Sequence, residues 1–258
     1  MAKRQVIYTI LFFTLVEFFF IFVFFMLAQI FILPWHFSES TENTLLFIFQ
    51  MLAEMVAIAY ARNSLNMLRL RDLLAPVHLS CLSMMSLIIF TIAGILGADV
   101  FTDALNLPDL SGICSPNSNL KKTPFVIAYI CIIAPIVEEI INRRIILGYM
   151  LNHSVHPVYA IILSSIIFGV SHMNPAQIPF ATIVGGLLGI IYWKTQSIII
   201  PIIIHIINNT TCTCIEHLGD FKYIDVLGGS SMALPVTIIS FTICGFFCWL
   251  FITKNPTT

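Results

Sequence analysis

Two adjacent carboxylates and two adjacent guanidiniums interrupt a stretch of the chain that is otherwise apolar. Glu138 and Glu139 precede Arg143 and Arg144 inside the run from Pro124 to Met150. An ionised side chain at the centre of a bilayer costs about 2.5 to 3.5 kcal/mol, even on lenient insertion scales. These groups must therefore be paired, hydrated or used in chemistry.

The spacing of the charged groups separates one carboxylate from the other. Glu139 and Arg143 are four residues apart, so on a helix they share a face and can form an ion pair. Glu138 lies about 100° round the helix and has no such partner within it. A carboxylate held beside an ion pair in a low-dielectric cavity is suited to abstracting a proton. A structural ion pair that fixes helix packing is the alternative interpretation of the same residues.

Two later apolar segments also carry polar side chains that could face the acids. His172 ends an apolar helix that Pro175 helps to stop. His205 and Asn209 are four residues apart, so they share one helix face. Each residue alone is explained by hydrogen bonding between helices, but three successive polar intrusions are hard to attribute to packing. Together they could supply a base, its partner and donors for an oxyanion.

Composition decides which elements position these residues. The chain has 258 residues, of which 59% are hydrophobic and 10% are charged, whereas soluble domains have about 25% charged residues. We therefore predict an all-α polytopic membrane protein with its site inside the helix bundle, built as one domain over residues 1–258. The net charge of −1 and the absence of a basic arm give no reason to expect a nucleic-acid partner.

The hydropathy pattern predicts about eight transmembrane helices. They cover residues 6–33, 44–61, 78–98, 124–150, 157–173, 176–193, 197–213 and 233–252. Basic residues favour one side of the membrane by nine to three, which predicts that both termini are cytoplasmic. The first apolar run exceeds the 7 to 15 residues of the apolar region of a signal peptide, so we expect it to be retained as a span.

Several other features have structural interpretations. Glu17 and Glu54, in the first two spans, are expected to hydrogen-bond between helices or to form a second polar site. The glycines of the run 185–189 should let helices pack closely around the site. Residues 62–77 predict an interfacial amphipathic stretch, and the irregular stretch 99–123 is a candidate for a mobile cover.

The polar residues fall into three motifs that resemble those of a known family. In chain order these are Glu138-Glu139-x-x-x-Arg143, Phe168-x-x-x-His172 and His205-x-x-x-Asn209. They are similar to the motifs of the CAAX prenyl protease and bacteriocin-processing family, often called CPBP or Abi intramembrane proteases. The resemblance covers residues 124–213, which it marks as the catalytic core. The chain departs from the family at Asn142, where an aromatic is usual, and at Arg144, where a glycine is usual.

The resemblance implies an intramembrane endopeptidase of the CAAX type. Such enzymes cut prenylated proteins near the C-terminus in eukaryotes, or other peptides and membrane proteins in bacteria. A peptide or membrane protein in the lipid bilayer is therefore the expected partner. The resemblance implies that Glu138 is the base and that His172 is its partner. It also implies that Arg143 orients Glu139, and that His205 and Asn209 donate hydrogen bonds to the oxyanion.

We expect no cofactor, because a carboxylate base and neutral donors suffice for hydrolysis, although the resemblance leaves participation of a divalent metal open. The Cys212-Thr213-Cys214 sequence lacks the usual spacing of metal-binding cysteines, so we predict no metal site there. One alternative is a catalytically silent scaffold or immunity protein that binds a peptide or membrane partner in the same pocket. Another is a proton- or ion-coupled transporter, which is less favoured because the two halves show no inverted repeat.

The site also imposes a geometric demand. Glu138 lies about 20 Å along the helix from either end of its span, whereas His172 lies at the end of a short one. The fifth span must therefore be offset, tilted or followed by a re-entrant turn. Non-helical backbone at that depth is tolerated around a water-filled cavity, which hydrolysis also needs.

Overall fold

The computed structural model describes residues 3–35, 37–65, 77–110, 123–218 and 222–255, and all regular structure in these ranges is helical. Eight main helices correspond to the eight segments predicted from hydropathy. They are α1 (Lys3–Ile32), α2 (Glu39–Leu65), α3 (Cys81–Leu105), α4 (Pro124–Asn152), α5 (Pro157–Ser171), α6 (Ile178–Thr195), α7 (Ile199–Leu218) and α8 (Ala233–Lys254). The chain is thus an all-α polytopic membrane protein, as the sequence predicted.

Helix α5 differs from the others in length. Seven helices of the described ranges are long and apolar enough to cross a membrane, and α5 is a shorter apolar helix. Its 15 residues span about 22 Å, less than the roughly 30 Å of hydrocarbon core. The short fifth span that the sequence indicated is therefore present, and it ends one residue before His172.

Helix α3 extends further towards the C-terminus than the sequence predicted. Helix α3 continues to Leu105, so the predicted irregular stretch begins later than residue 99. It ends at Asn106, whose left-handed φ of 47° is tolerated by asparagine. The predicted cover over residues 111–122 and most of the predicted interfacial stretch, residues 66–76, lie outside the described residues.

Helix α4 changes its winding around the acidic pair. Two π-helical segments, Tyr129–Ile133 and Ile140–Leu147, flank the α-helical turn Ala134–Glu139. Such π-segments are rare and often occur at functional sites. The acidic pair therefore sits at the end of a short α-helical turn whose register is set on both sides.

A proline explains why the first π-segment needs outside support. The N–H of Ala134 donates to the Tyr129 carbonyl, five residues earlier. The next bond in that register would run from Pro135 to the Ile130 carbonyl, but proline has no N–H to donate. The amide of Asn209 on α7 donates to that carbonyl instead, at 3.1 Å. An unsatisfied carbonyl in the membrane core costs several kcal/mol, so this bond holds α7 against α4.

Helix α6 lies between two apolar clusters. One cluster joins buried residues of α1, α4, α5 and α6, and the other joins buried residues of α3, α6 and α8. Close packing depends on glycine at two places. A Cβ on Gly169 of α5 would overlap Thr182 of α6, and one on Gly185 would lie 3.0 Å from the Phe168 ring. The predicted packing role of the glycine run is thus confirmed at Gly185.

Candidate active site

Glu139 is the centre of the polar cluster. Its side chain is fully buried, and its Oε2 lies 2.9 Å from Arg143 Nε on the same helix. Its other oxygen, Oε1, lies 2.9 Å from His205 Nδ1 on α7. The carboxylate therefore pairs with the arginine that the spacing predicted, and it also binds a histidine 66 residues later in the chain.

Arg143 is held on three sides. Besides Glu139, its Nη2 donates to the Gly185 carbonyl of α6 at 3.2 Å. Its guanidinium carbon lies 4.7 Å from the centroid of the Phe168 ring, a cation–π geometry. Only 2% of the arginine is exposed. This fixed cation holds Glu139 in one orientation, which is the supporting arrangement that the sequence predicted.

The surroundings of His205 decide which nitrogen carries a proton. Glu139 is paired with an arginine, so its carboxylate can only accept hydrogen bonds. His205 Nδ1 must therefore carry a hydrogen and donate it to Glu139. The other nitrogen, Nε2, lies 3.7 Å from Glu138 Oε2. That separation exceeds a direct hydrogen bond, so the pair is arranged to share a small polar group between them.

The two adjacent acids differ in access. Glu138 has 28% of its side chain exposed, whereas Glu139 has none. One carboxylate is therefore partly accessible and the other is enclosed. The Oε2 atom of Glu138 is itself buried and has no hydrogen-bond partner among the described residues.

His172 approaches the site through Phe168. Its Nδ1 lies 2.9 Å from the Phe168 carbonyl, which can only accept, so Nδ1 carries the hydrogen and Nε2 is left as an acceptor. The Phe168 ring is edge-on to both imidazoles, 5.0 Å from His172 and 5.7 Å from His205. The resemblance pairs Glu138 with His172. In the structure, the imidazole of His205 lies near Glu138, with Nε2 at 3.7 Å from Oε2.

Asn209 is engaged with the backbone of α4. Its Nδ2 donates to the Ile130 carbonyl, and its Oδ1 accepts from Asn208 Nδ2 at 3.2 Å. An amide NH₂ has two hydrogens, so one remains beyond the bond to Ile130. The predicted ledge of His205 and Asn209 is present as two side chains that both reach α4 from α7.

The two departures from the family pattern have partners in the structure. Asn142 is buried, and its Nδ2 donates to the Glu138 carbonyl at 2.9 Å. Arg144 Nη1 lies 3.4 Å from the Tyr192 hydroxyl on α6. The asparagine thus reinforces the backbone at Glu138, and the additional cation is directed to the neighbouring helix.

A second buried acid lies close to the first pair. Glu54 of α2 accepts hydrogen bonds from the Tyr129 hydroxyl at 3.2 and 3.1 Å and from Gln50 Nε2 at 3.1 Å. Glu54, Glu138 and Glu17 of α1 are close enough to interact electrostatically. The expected interhelical hydrogen bond is confirmed for Glu54. Tyr129 could not be singled out from the sequence, because a tyrosine in an apolar span is most simply a packing residue.

An asparagine clasp ties the turn after His172 to the connection that follows α3. Asn174 Nδ2 donates to Asp109 Oδ1 at 2.8 Å, and its Oδ1 accepts from the Leu110 N–H at 3.1 Å. Asn174 is 6% exposed. The left-handed φ of 51° at Met173 turns the chain between His172 and this clasp. The end of α5 is therefore fixed rather than frayed.

A protein metal site usually needs three or more ligating side chains directed at one point. Over the ranges that the structure describes, no group of three or more His, Cys, Asp or Glu side chains is arranged to hold a metal ion.

The motifs that form this cluster fall in the part of the chain that matches a known family. Residues 120–211 match the family described as type II CAAX prenyl endopeptidase Rce1-like. The resemblance to CPBP proteins is thus confirmed over this segment. The segment contains all seven residues that the three motifs name, and α1, α2, α3 and α8 lie outside it.

Two bacterial relatives match a similar part of the chain. The putative membrane peptidase YdiL of Bacillus subtilis strain 168 is 34% identical over 91 residues, which is 35% of this chain and 37% of the relative. The membrane-embedded CAAX protease MroQ of Staphylococcus aureus strain USA300 is 31% identical over 105 residues, which is 37% of this chain and 42% of the relative. The match thus spans about two fifths of each relative. No solved structure matches the chain.

Proposed function

We propose that the protein is an intramembrane endopeptidase that hydrolyses peptide bonds of a membrane-associated protein or peptide, with Glu138 as the base that activates water. The observation that carries this proposal is the continuous chain Arg143–Glu139–His205–Glu138 inside an apolar bundle. It ends in the carboxylate that substrate can reach. The match of this segment to CAAX-type endopeptidases supports the same reaction class.

The geometry supports one chemical route. A water molecule bound between Glu138 Oε2 and His205 Nε2 would satisfy both atoms across their 3.7 Å gap. Glu138 removes a proton from this water as its oxygen bonds to the peptide carbonyl carbon. The same carboxyl then delivers the proton to the leaving nitrogen as the carbon–nitrogen bond breaks. A positioned base of this kind contributes about 10² to 10⁴ in rate.

The remaining residues stabilise the charge that forms on the carbonyl oxygen. Asn209 keeps one amide hydrogen for this oxygen, and His205, when it enters the reaction with a proton already taken from solvent, also donates from Nε2. Glu139, which Arg143 holds in place, then stabilises the imidazolium and fixes the ring. His172, whose Nε2 is an acceptor, orients the attacking water. One preorganised oxyanion donor contributes about 10² to 10³ in rate.

No step of this route requires a metal, because the carboxylate supplies the base and the imidazole and amide supply the donors. Activity in membranes washed with a chelator should therefore equal activity in untreated membranes. Loss of activity on washing that returns with added Zn²⁺ would contradict the metal-free route.

The proposed setting is a bacterial inner membrane with both termini in the cytoplasm. Eight helices, with α5 counted as a crossing, return the chain to its starting side, and the excess of basic residues favours that side as the inner one. Reporter fusions at Met1 and Thr258 should both be active in the cytoplasm. Reporters on opposite sides would show that α5 does not complete a crossing.

The decisive experiment compares the peptide termini of cells that carry wild-type protein with those of cells that carry Glu138→Gln. Termini produced by the protease should be missing in the variant and restored by the wild type. Glu216→Gln is the matched control, since it removes an exposed carboxylate from α7. If Glu138→Gln leaves every terminus in place, the pocket serves a catalytically silent scaffold instead.

A further inference from the structure

We propose that Glu54, on a helix outside the family-matched segment, is a positioning residue that acts through the Tyr129 hydroxyl to set where Glu138 lies relative to His205. This inference rests on the proposed function, because it assigns Glu138 and His205 to the reaction. It concerns a different contact from those of the three motifs.

The contact between Glu54 and Tyr129 is specific and buried. Both oxygens of the Glu54 carboxyl accept from the Tyr129 hydroxyl, and Gln50 Nε2 donates to the same group. Glu54 is 5% exposed and Tyr129 is 2% exposed. A buried hydroxyl that loses its acceptor costs about 1 to 3 kcal/mol. These hydrogen bonds therefore hold the Tyr129 hydroxyl of α4 at one position against α2.

Tyr129 is the first residue of the π-segment that precedes the acidic pair. The next residue, Ile130, gives its carbonyl to Asn209 of α7. Adjacent residues of this segment are thus anchored to α2 on one side and to α7 on the other. Because a π-segment shifts the helical register by one residue, these two anchors set the rotation of the turn Ala134–Glu139.

That rotation decides the distance across the site. Helix α7 carries both Asn209, which grips the π-segment, and His205, which faces Glu138. Tyr129 lies nine residues before Glu138, about 14 Å along the helix. If the Tyr129 anchor is released, α4 keeps its hydrogen bonds to α7 but loses its tie to α2 at the π-segment. The 3.7 Å separation between Glu138 and His205 is then less tightly fixed.

Electrostatic influence is the competing explanation, because Glu54 also lies near enough to Glu138 to repel it. The two effects separate by substitution. Tyr129→Phe removes the hydrogen bond and leaves the carboxyl of Glu54 in place. Glu54→Gln removes the acidic group but keeps an oxygen that accepts from the hydroxyl. Glu54→Leu removes both.

The test measures kcat and KM for all three variants and for the double variant Tyr129→Phe with Glu54→Leu. We expect Tyr129→Phe and Glu54→Leu each to lower kcat about tenfold or more with little change in KM, since small misplacements of a reacting group cost up to about 10²-fold. The double variant should be no slower than the slower single one. Glu54→Gln should keep most of the wild-type kcat.

Ser40→Ala is the matched control, because it removes another hydroxyl contact between α2 and α4, the one with Thr123 at 3.3 Å, ahead of the π-segment. It should leave kcat unchanged. Wild-type kcat in Tyr129→Phe would overturn the proposal. A fall in Glu54→Leu and Glu54→Gln without one in Tyr129→Phe would assign the effect to charge and overturn it equally, as would a change confined to KM.

A second measurement keeps this inference separable from the proteolytic function. The chain has seven histidines, so ¹⁵N-histidine spectra in bilayers can resolve the His205 signal, identified by its loss in His205→Gln. Tyr129→Phe should shift that signal, and Ser40→Ala should not. If the wild type cleaves nothing but the shift occurs, the proteolytic function fails and the positioning holds. If the wild type is active and neither kcat nor the signal changes in Tyr129→Phe, the positioning fails alone.

Discussion

Two buried carboxyl groups in the same bundle differ in the charge of the groups that bind them. Glu139 is bound by a guanidinium and an imidazole, both of which can carry charge. Glu54 is bound by a hydroxyl and an amide, both of which are neutral. The first is built into a charged network that ends at an accessible acid, whereas the second ties two helices together. Burial alone therefore does not separate a carboxyl group of the proposed active site from one that ties helices together. The charge of the hydrogen-bond donors does separate them.

The largest effect that separates the two regions should come from Glu138→Gln. This change keeps the size of the side chain but removes the base, so we expect turnover to fall by about 10² to 10⁴ while the protein remains folded. A fluorogenic peptide assay in bilayers, paired with a thermal unfolding scan, measures both. Wild-type turnover in this variant would show that another group activates the water.

The charged network should also be the more fragile of the two regions. Arg143→Met leaves Glu139 buried without its cation, and we expect about 3 to 5 kcal/mol of lost stability. The double variant with Glu139→Gln should recover part of that loss, because no unpaired charge then remains. Unfolding by denaturant in micelles is the measurement. Equal stability of Arg143→Met and the wild type would mean that the ion pair is not part of the fold's support.

The two roles of Asn209 can be separated through Pro135. Asn209→Leu should lower turnover by about 10² to 10³ if its second amide hydrogen stabilises the oxyanion, and it should also destabilise the protein by leaving the Ile130 carbonyl without a donor. Adding Pro135→Ala restores a backbone N–H for that carbonyl. We expect the double variant to regain stability without regaining turnover, as followed by unfolding scans and kinetics. Joint recovery would assign Asn209 to the tether alone.

The smallest effect is expected at the additional cation. Arg144 is partly exposed and meets Tyr192 at a long 3.4 Å, and exposed polar contacts contribute about 0 to 1 kcal/mol. Arg144→Gly should therefore change turnover less than about threefold, with Tyr192→Phe behaving alike. A larger loss confined to Arg144→Gly would point to contact with substrate.

Much of the fold follows from the sequence because the bilayer is a demanding solvent. Each span must be apolar over a nearly fixed length and must satisfy its own backbone, so hydropathy located all eight helices. The Glu139–Arg143 pair was predictable for a similar reason, since it depends only on spacing within one helix.

The parts that could not be predicted depend on how helices rotate against each other. Whether Glu138 faces His172 or His205 is decided by the rotation of α4, and that rotation follows from π-segments that periodicity does not show. The partnership of Glu54 with Tyr129 depends on the same rotation. The sequence marked Pro135 beside the acids, but its consequence for Ile130 appears only when α7 is in place.

The bond between Asn209 and Ile130 joins residues 79 positions apart, and this separation has a consequence for biogenesis. Helix α4 leaves the ribosome well before α7. The Ile130 carbonyl therefore has no side-chain donor until α7 has been synthesised. The Glu139–Arg143 pair within α4 neutralises the charges during that interval, but only the arrival of α7 completes the backbone. Completion of α4 is thereby coupled to synthesis of the helix that bears His205, and chains truncated before Asn209 should be targets for membrane quality-control proteolysis.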